Sequence, residues 1–462
     1  MATILGVGSL GAAFRGKTSD GVTQYLGIKS TPISTRVGCE LEQAAIQHTL
    51  PARTNVSQSD SECLSLNVYI PAGTGPDAWL PVFVFIHGGG LAMGATSWPQ
   101  SDMQRFVRLS VEMKPPIIAV SINYRLGIFG FLTSKELRSA GYKPNNGLRD
   151  QKVAMLWVQK HIRLFGGDIE AVTLVGISAD AAAVTLHLKN CPGLFRRAIA
   201  MSGSYLMTQP LTLDAHEGIY EHVVQELGLP GVSPDERLKV LVTHPVEQLL
   251  SLIPPTAAAA AAFVVDGDLI SSPASFSWDK ENLHLNWKLP ETGDRYRDLL
   301  IGNTQMDGAE FINDVVALAP VVHFAQSWPG PVHAYYFNEG NPWDGPYKGQ
   351  ASHLLHQAFL LQNYRELLDD GQQAVAAVFA EDVFRFCHGI RPWPVVTAIG
   401  FPVRTYGPSS STQVPARVAA SHDEATTMRR ETVFEYSDRL SLDGMLRVVA
   451  KFALNAAARQ TR

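Results

Sequence analysis

Short apolar runs separated by longer stretches of helical length recur along this chain. Val82–Ile86, Ile117–Ile122, Val172–Val175, Ala198–Met201, Leu299–Ile301, Val332–Phe337 and Val403–Tyr406 are apolar at most positions. A strand wetted on one face alternates, whereas a strand covered on both faces is apolar throughout. These runs are therefore predicted as strands, most of them central. Gln151–Leu164 and Ala179–Leu188 lie between them with the length of helices. Strand and helix in alternation predict an α/β fold with a large, mostly parallel sheet flanked by helices. From about 213 to 272 the rhythm changes. This Leu- and Glu-rich stretch is predicted as a helical excursion over one end of the sheet, with Ala257–Ala262 as a helix end or linker inside it. Long Ser/Gly/Pro-rich linkers and internal repeats are absent, so residues 1–462 are predicted as one domain.

The apolar run Ile4–Phe14 invites comparison with a signal peptide. No basic region precedes it, and Gly6, Gly8 and Gly11 interrupt it. It is predicted as an edge strand instead. A cytoplasmic location with reduced thiols is the default expectation, and secretion is the alternative. Cys39 and Cys63 remain candidates for a bridge.

Composition narrows the function. With 46% hydrophobic and 18% charged residues, the chain has the makings of a large core. Its net charge of -5 is spread over both signs, which excludes a basic face for nucleic acid or an anionic membrane. Nothing approaches the apolar length of a transmembrane helix. The expected partner is a small, fairly neutral molecule, with no cofactor and no metal. Oligomeric state stays open.

Two segments carry chemistry. Val172–Val175 runs through Gly176 and Ile177 into Ser178, and Ala179, Asp180 and Ala181 follow. A buried strand, a tight turn with serine at its apex and a small-residue helix make a nucleophile elbow. By itself the segment is equally a serine capping a buried helix, because the last glycine of G-x-S-x-G is Asp180 here. The second segment is the strand Phe83–Ile86 ending in His87-Gly88-Gly89-Gly90. Acyl transfer needs N–H groups held where negative charge develops, and glycines let backbone approach the reacting carbonyl. A phosphate cradle needs a helix directly behind the turn and commonly a lysine, and Leu91-Ala92-Met93 supplies neither.

Several further motifs lie in register with these two: Glu62–Tyr69, Asn123-Tyr124-Arg125-Leu126-Gly127 and Asn146–Gln151. Together they resemble the type B carboxylesterases, the cholinesterase-like branch of the α/β-hydrolases, fungal members among them. The resemblance covers much of the chain before Ser204 and continues more weakly to Asn363. It implies a serine esterase with Ser178 as nucleophile, His353 as general base and Asp307 as the acid that orients it, with oxyanion donors at Gly89, Gly90 and Ala179. Asp307 takes a place where glutamate is usual. His356, one helical turn beyond His353, is the rival base.

The chain also departs from the family. Ile177 replaces the usual glutamate before the serine, Asp180 replaces the usual glycine, and the segment between Ile28 and Cys39 is shortened. The interval from Cys39 to Cys63 contains no Phe, Tyr or Trp, so the cation–π contact that cholinesterases offer choline is missing. The resemblance therefore points to neutral, lipophilic carboxylic esters or lactones. Two other readings use the same residues: an acyl transferase or cyclase in which an alcohol replaces water, and a catalytically weakened binding protein, which Asp180 favours. At Asp180 itself the expectation divides. Either its charge opposes the oxyanion at Ala179, or it turns outward and bonds a nearby donor, leaving the oxyanion hole untouched.

Overall fold

The computed structural model describes residues 2–7, 12–28, 36–51, 64–208, 210–245, 248–249, 262–271, 297–305, 318–397, 400–409 and 414–420. Asp307, Cys63 and Ala257 to Ala261 lie outside these residues. Among the described residues twelve strands form one sheet, in the order β1-β2-β3-β4-β6-β5-β7-β8-β9-β10-β11-β12. They are β1 (Ala2–Val7), β2 (Ala12–Ser19), β3 (Val22–Ile28), β4 (Leu66–Pro71), β5 (Leu80–Ile86) and β6 (Ile118–Ile122). The second half comprises β7 (Gly167–Ile177), β8 (Arg197–Met201), β9 (Asp298–Thr304), β10 (Val332–Phe337), β11 (Val403–Tyr406) and β12 (Ala416–Ala419). From β6 to β11 every neighbouring pair is parallel. The two margins are antiparallel. The predicted edge strand is thus two paired strands, β1 and β2, at one margin of the sheet.

Why the central runs are apolar throughout is visible in how they pack. On β5, Val82, Val84 and Ile86 enter one core cluster, while Phe83 and Phe85 enter another on the opposite face. On β7, Val172 and Leu174 point to the first and Val175 and Ile177 to the second. Successive side chains of a strand project to opposite faces, so both parities must be apolar when both faces are covered. Each fully buried Val, Ile or Phe contributes about 1.5–3 kcal/mol by leaving water.

The predicted helices are present with shifted ends. The first spans Asn146–His161 and passes into a 3-10 turn at Ile162–Phe165, and the second spans Ala179–Asn190. The excursion is helical at Leu213–Glu226 and Pro234–Thr243. Its own small cluster is built on Tyr220, Val224 and Leu229. Tyr220 and Arg237 tie it to the main body, donating to the Glu136 carboxylate at 2.5 and 2.8 Å.

Polar residues of the sequence motifs act as staples. Asn123 Oδ1 accepts the Thr96 N–H at 2.9 Å, and its Nδ2 donates to Ser65 Oγ at 2.8 Å. Asn67 Nδ2 donates to Thr96 O at 3.3 Å, and Gly127 N–H donates to Leu91 O at 2.8 Å. The loop that follows the His87–Gly90 turn is therefore pinned from both β4 and β6. Arg125 grips Asp150 with two guanidinium bonds of 2.7 and 2.8 Å, locking one motif to the next.

These staples make a prediction. Asn123→Ala leaves the buried Thr96 N–H without its acceptor, at a cost of roughly 1–3 kcal/mol. Urea denaturation should show that loss as a lower midpoint with an unchanged slope. An unchanged midpoint would mean that Asn123 does not hold the loop.

Candidate active site

Ser178 is the single residue between the end of β7 and the helix Ala179–Asn190. Its backbone lies at φ 59 and ψ -127, a region that side-chain-bearing residues avoid. Such a conformation costs on the order of 1–3 kcal/mol and persists only when its surroundings enforce it. Here Ser178 N–H donates to Met201 O on β8 at 2.8 Å, and Ser178 O accepts the N–H groups of Ala181 and Ala182. Two glycines give the turn room. A Cβ on Gly176 would stand 2.3 Å from Asp180 O, and one on Gly203 would stand 2.2 Å from Ser178 O. Ser178 makes no side-chain cap bond, and its hydroxyl faces a histidine.

The glycine turn stands at the end of β5, next to β7 in the sheet. Gly89 and Gly90 lie at φ +119 and +65, which only glycine adopts without strain. Among the described residues the N–H groups of Gly89, Gly90 and Ala179 donate to no protein acceptor. His87 turns back on the loop, its Nδ1 3.0 Å from Gly88 O, and stacks on Tyr124 with ring centroids 5.2 Å apart. Burial lowers its pKa to about 4, so the imidazole is neutral at pH 7. Turns rather than a helix follow Gly90, as the argument against a phosphate cradle required.

His353 Nε2 lies 2.9 Å from Ser178 Oγ. The residues are 175 positions apart in sequence, and a left-handed turn at Leu354, φ 71, sets the imidazole just before the helix Leu355–Leu360. His356 is fully buried and faces elsewhere, its Nδ1 3.3 Å from the Tyr335 hydroxyl. The two histidines thus differ in position, His353 meeting the Ser178 hydroxyl and His356 the Tyr335 hydroxyl. Asp307 lies outside the described residues. Its strand β9 is described, and it runs parallel to β8 and β10, ending at Thr304 on the same edge of the sheet as β7.

Two of the three departures from the family pattern, Ile177 and Asp180, are placed as well. Ile177 is fully buried, and its Cγ2 lies 3.1 Å from where a Gly88 Cβ would stand. Its side chain joins the core on one face of the sheet, beside the start of the glycine turn. Asp180 takes the second of the two expected courses, but inward. Its Oδ2 accepts the Tyr124 hydroxyl at 2.7 Å and its Oδ1 accepts Gln151 Nε2 at 2.9 Å. Gln151 Oε1 continues the chain to His187 Nε2 at 2.8 Å, and His187 Nδ1 lies 3.2 Å from Cys191 Sγ. Burial raises the Asp180 pKa well above its ordinary value, although Tyr124 and Gln151 both oppose the shift. The carboxyl is turned onto these two donors.

Sequence reasoning missed a further buried carboxyl. Glu42, on the helix Arg36–Ile46, is 7% exposed and accepts a bond from Gln100 Nε2 at 3.3 Å. Nothing in the local sequence marks it, because its partners come from positions about 58 residues and more away.

Asp180 yields a pair of opposed expectations. Asp180→Gly strands the Tyr124 hydroxyl and the Gln151 amide, each worth roughly 1–3 kcal/mol when buried without a partner. Asp180→Asn keeps one acceptor and one donor and should be close to neutral at low pH. Because the folded pKa lies above the unfolded value of 3.8, wild-type stability declines as pH rises from there, and the asparagine variant escapes that decline. Thermal melts across pH 4 to 9 check both. A variant that falls below wild type as pH rises would show that Asp180 is ionised.

The Carboxylesterase family model matches residues 34–317. "Lipase 2" of Diutina rugosa is 38% identical over 186 residues, covering 38% of this chain and 33% of that protein. "Carboxylesterase patB" of Aspergillus clavatus is 31% identical over 237 residues, covering 48% of this chain and 42% of that protein. The matched region thus spans about a third to two-fifths of the length of these curated relatives. A solved structure titled PNB esterase superposes with a TM-score of 0.69 at 21% identity, covering 92% of this chain and 99% of that one, which places the fold among the α/β-hydrolases. With the family model matching more than half of its residues, the chain belongs to the carboxylesterase family.

Proposed function

We propose that this protein is a serine hydrolase that cleaves neutral, lipophilic carboxylic esters or lactones through an acyl-enzyme on Ser178. The observation that carries the reading is the 2.9 Å contact between His353 Nε2 and Ser178 Oγ at the strand–helix elbow. With Nε2 unprotonated, His353 accepts the serine proton as Oγ attacks the ester carbonyl. The carbonyl oxygen becomes an oxyanion in reach of donors from Gly89, Gly90 and Ala179. Collapse expels the alcohol, which takes the proton from His353, and water activated by the same histidine then releases the acid. Each good oxyanion donor is worth about 100-fold or more in rate. Asp307 is the acid this reading assigns to the imidazole.

The names of relatives support the same class, since they include lipases, a carboxylesterase and an esterase. The feature that favoured a weakened binding protein loses its force, because the Asp180 carboxyl is engaged by Tyr124 and Gln151. Apolar Ile177 and the aromatic-free interval after Cys39 support neutral over cationic substrates.

Two measurements test this. A fluorophosphonate should label Ser178 and no other serine, because a base-activated hydroxyl attacks such reagents fastest. Peptide mapping that places the label elsewhere, or finds none, would sink the assignment, and Ser178→Ala is the control. Separately, kcat/KM for an uncharged butyrate ester should exceed that for butyrylcholine by about tenfold or more, the loss of a desolvated cation–π contact being worth roughly 2 kcal/mol. A preference for the choline ester would show that other aromatics bind the cation.

A further inference from the structure

Three strand ends stand in register where the oxyanion donors are found. Ile86 on β5 pairs with Ile122 on β6 to one side and with Gly176 on β7 to the other. The glycine turn follows β5, Tyr124 follows β6, and Asp180 follows β7. The Tyr124 hydroxyl donates to Asp180 Oδ2 at 2.7 Å, so one side chain joins the segments that follow the two neighbours of β5. The same ring stacks on His87, the first residue of the glycine turn, with the two planes 17° apart. Tyr124 thus touches both walls of the hole: the turn that carries Gly89 and Gly90, and the helix start that carries Ala179.

Asp180 is itself held where the phenol reaches it. Gln151, on the helix Asn146–His161, gives its amide N–H to Oδ1 at 2.9 Å, which leaves its Oε1 facing His187 Nε2 at 2.8 Å. His187 stands seven residues after Asp180 on the same helix, about two turns along one face. With its Nε2 proton given to Gln151, a neutral imidazole presents a bare Nδ1, and Cys191 Sγ lies 3.2 Å from it as the thiol donor. Burial lowers the His187 pKa to about 3, which keeps the ring neutral. Tyr124, Asp180, Gln151, His187 and Cys191 are all fully buried, so water does not compete for these bonds. A glycine at 180, usual in the family, has no side chain to accept the phenol, and the tie is therefore a property of this chain.

Resting on the reading of Ser178 and its oxyanion donors above, we propose that Tyr124 and Asp180 are positioning residues that fix the two walls of the oxyanion hole relative to each other. They act through the backbone and not on the ester. Their hydrogen bond holds the Ala179 N–H, at the helix start, against the N–H groups of Gly89 and Gly90 in the turn, so that all three serve one oxygen. Donors stabilise an oxyanion only when they already point to where charge develops, and a misplacement of about 1 Å costs on the order of 100-fold. The alignment matters most in the transition state, because the ground-state carbonyl oxygen carries much less charge.

The mark of such a role is a loss in kcat without a loss in substrate binding. Tyr124→Phe keeps the ring against His87 and removes only the hydroxyl. With 4-nitrophenyl butyrate as substrate, and competent sites counted by fluorophosphonate, kcat should fall roughly tenfold while KM changes less than about twofold. An alkyl trifluoromethyl ketone takes Ser178 Oγ onto its carbonyl carbon and leaves an oxyanion in the hole, so it should bind more weakly by the same factor. Asp180→Asn keeps an acceptor for the phenol, and its amide N–H meets the oxygen of a turned Gln151, so kcat should stay within about threefold of wild type. A fall in kcat with no weakening of the ketone, or no change in either, would overturn the inference, as would a loss in Asp180→Asn as large as in Tyr124→Phe. Should Tyr124→Phe fail to fold, Asp180→Ala removes the acceptor and should show the same paired losses; unpaired losses, or none, would overturn it equally. Wild-type protein that neither hydrolyses the ester nor takes the label would overturn the reading of Ser178 itself, whereas an active wild type with an unresponsive Tyr124→Phe overturns this inference alone.

Discussion

The reversal of the chain at Ser178 is the constraint on which the rest of this site depends. A serine at φ 59 and ψ -127 is an unfavourable conformation by itself, costing on the order of 1–3 kcal/mol. It exists because β7 is gripped on both sides, by β5 and β8, and because the next strand supplies the Met201 carbonyl to the serine N–H. The turn closes only where Gly176 and Gly203 leave room for backbone. A parallel sheet then brings the glycine turn after β5 and the end of β9 to the same edge, where ligands of such sheets bind.

Around that edge the buried polar groups are held by neutral partners more than by cations. Asp180 meets a phenol and an amide, and Glu42 meets the Gln100 amide. Burial raises the pKa of each above its ordinary value, that of Glu42 to about 7. Asp150 shows the contrast: two guanidinium bonds and a backbone N–H from Arg125 hold it where it links the motifs. Desolvation is costly for a lone charge, which is why a protonated or amide-solvated acid fits these positions better.

Much of this was legible in the sequence because it is local. A strand running into Gly176-Ile177-Ser178, and another ending in His87–Gly90, announce turns whose geometry follows from glycine and strand length. The helix ends were shifted by a few residues, since a cap reads only its immediate neighbours. The choice between His353 and His356 was different. Both are histidines one turn apart, and only the fold shows that one meets Ser178 Oγ while the other meets the Tyr335 hydroxyl. Motif order pointed to His353, but local chemistry could not. The course of the Asp180 side chain was likewise open, because Tyr124 and Gln151 lie 56 and 29 positions away.

What the sequence determined by itself was the fold class, the elbow, the glycine turn and the apolar character of Ile177. These follow from periodicity, turn chemistry and side-chain type, which need no partner distant in the chain. What only the tertiary structure decided was which groups stand opposite one another: His353 before Ser178, Tyr124 under Asp180, Gln100 beside Glu42. Charge state and orientation depend on burial and on neighbours a few ångströms away, and those neighbours are assembled by the sheet from segments that share no local pattern.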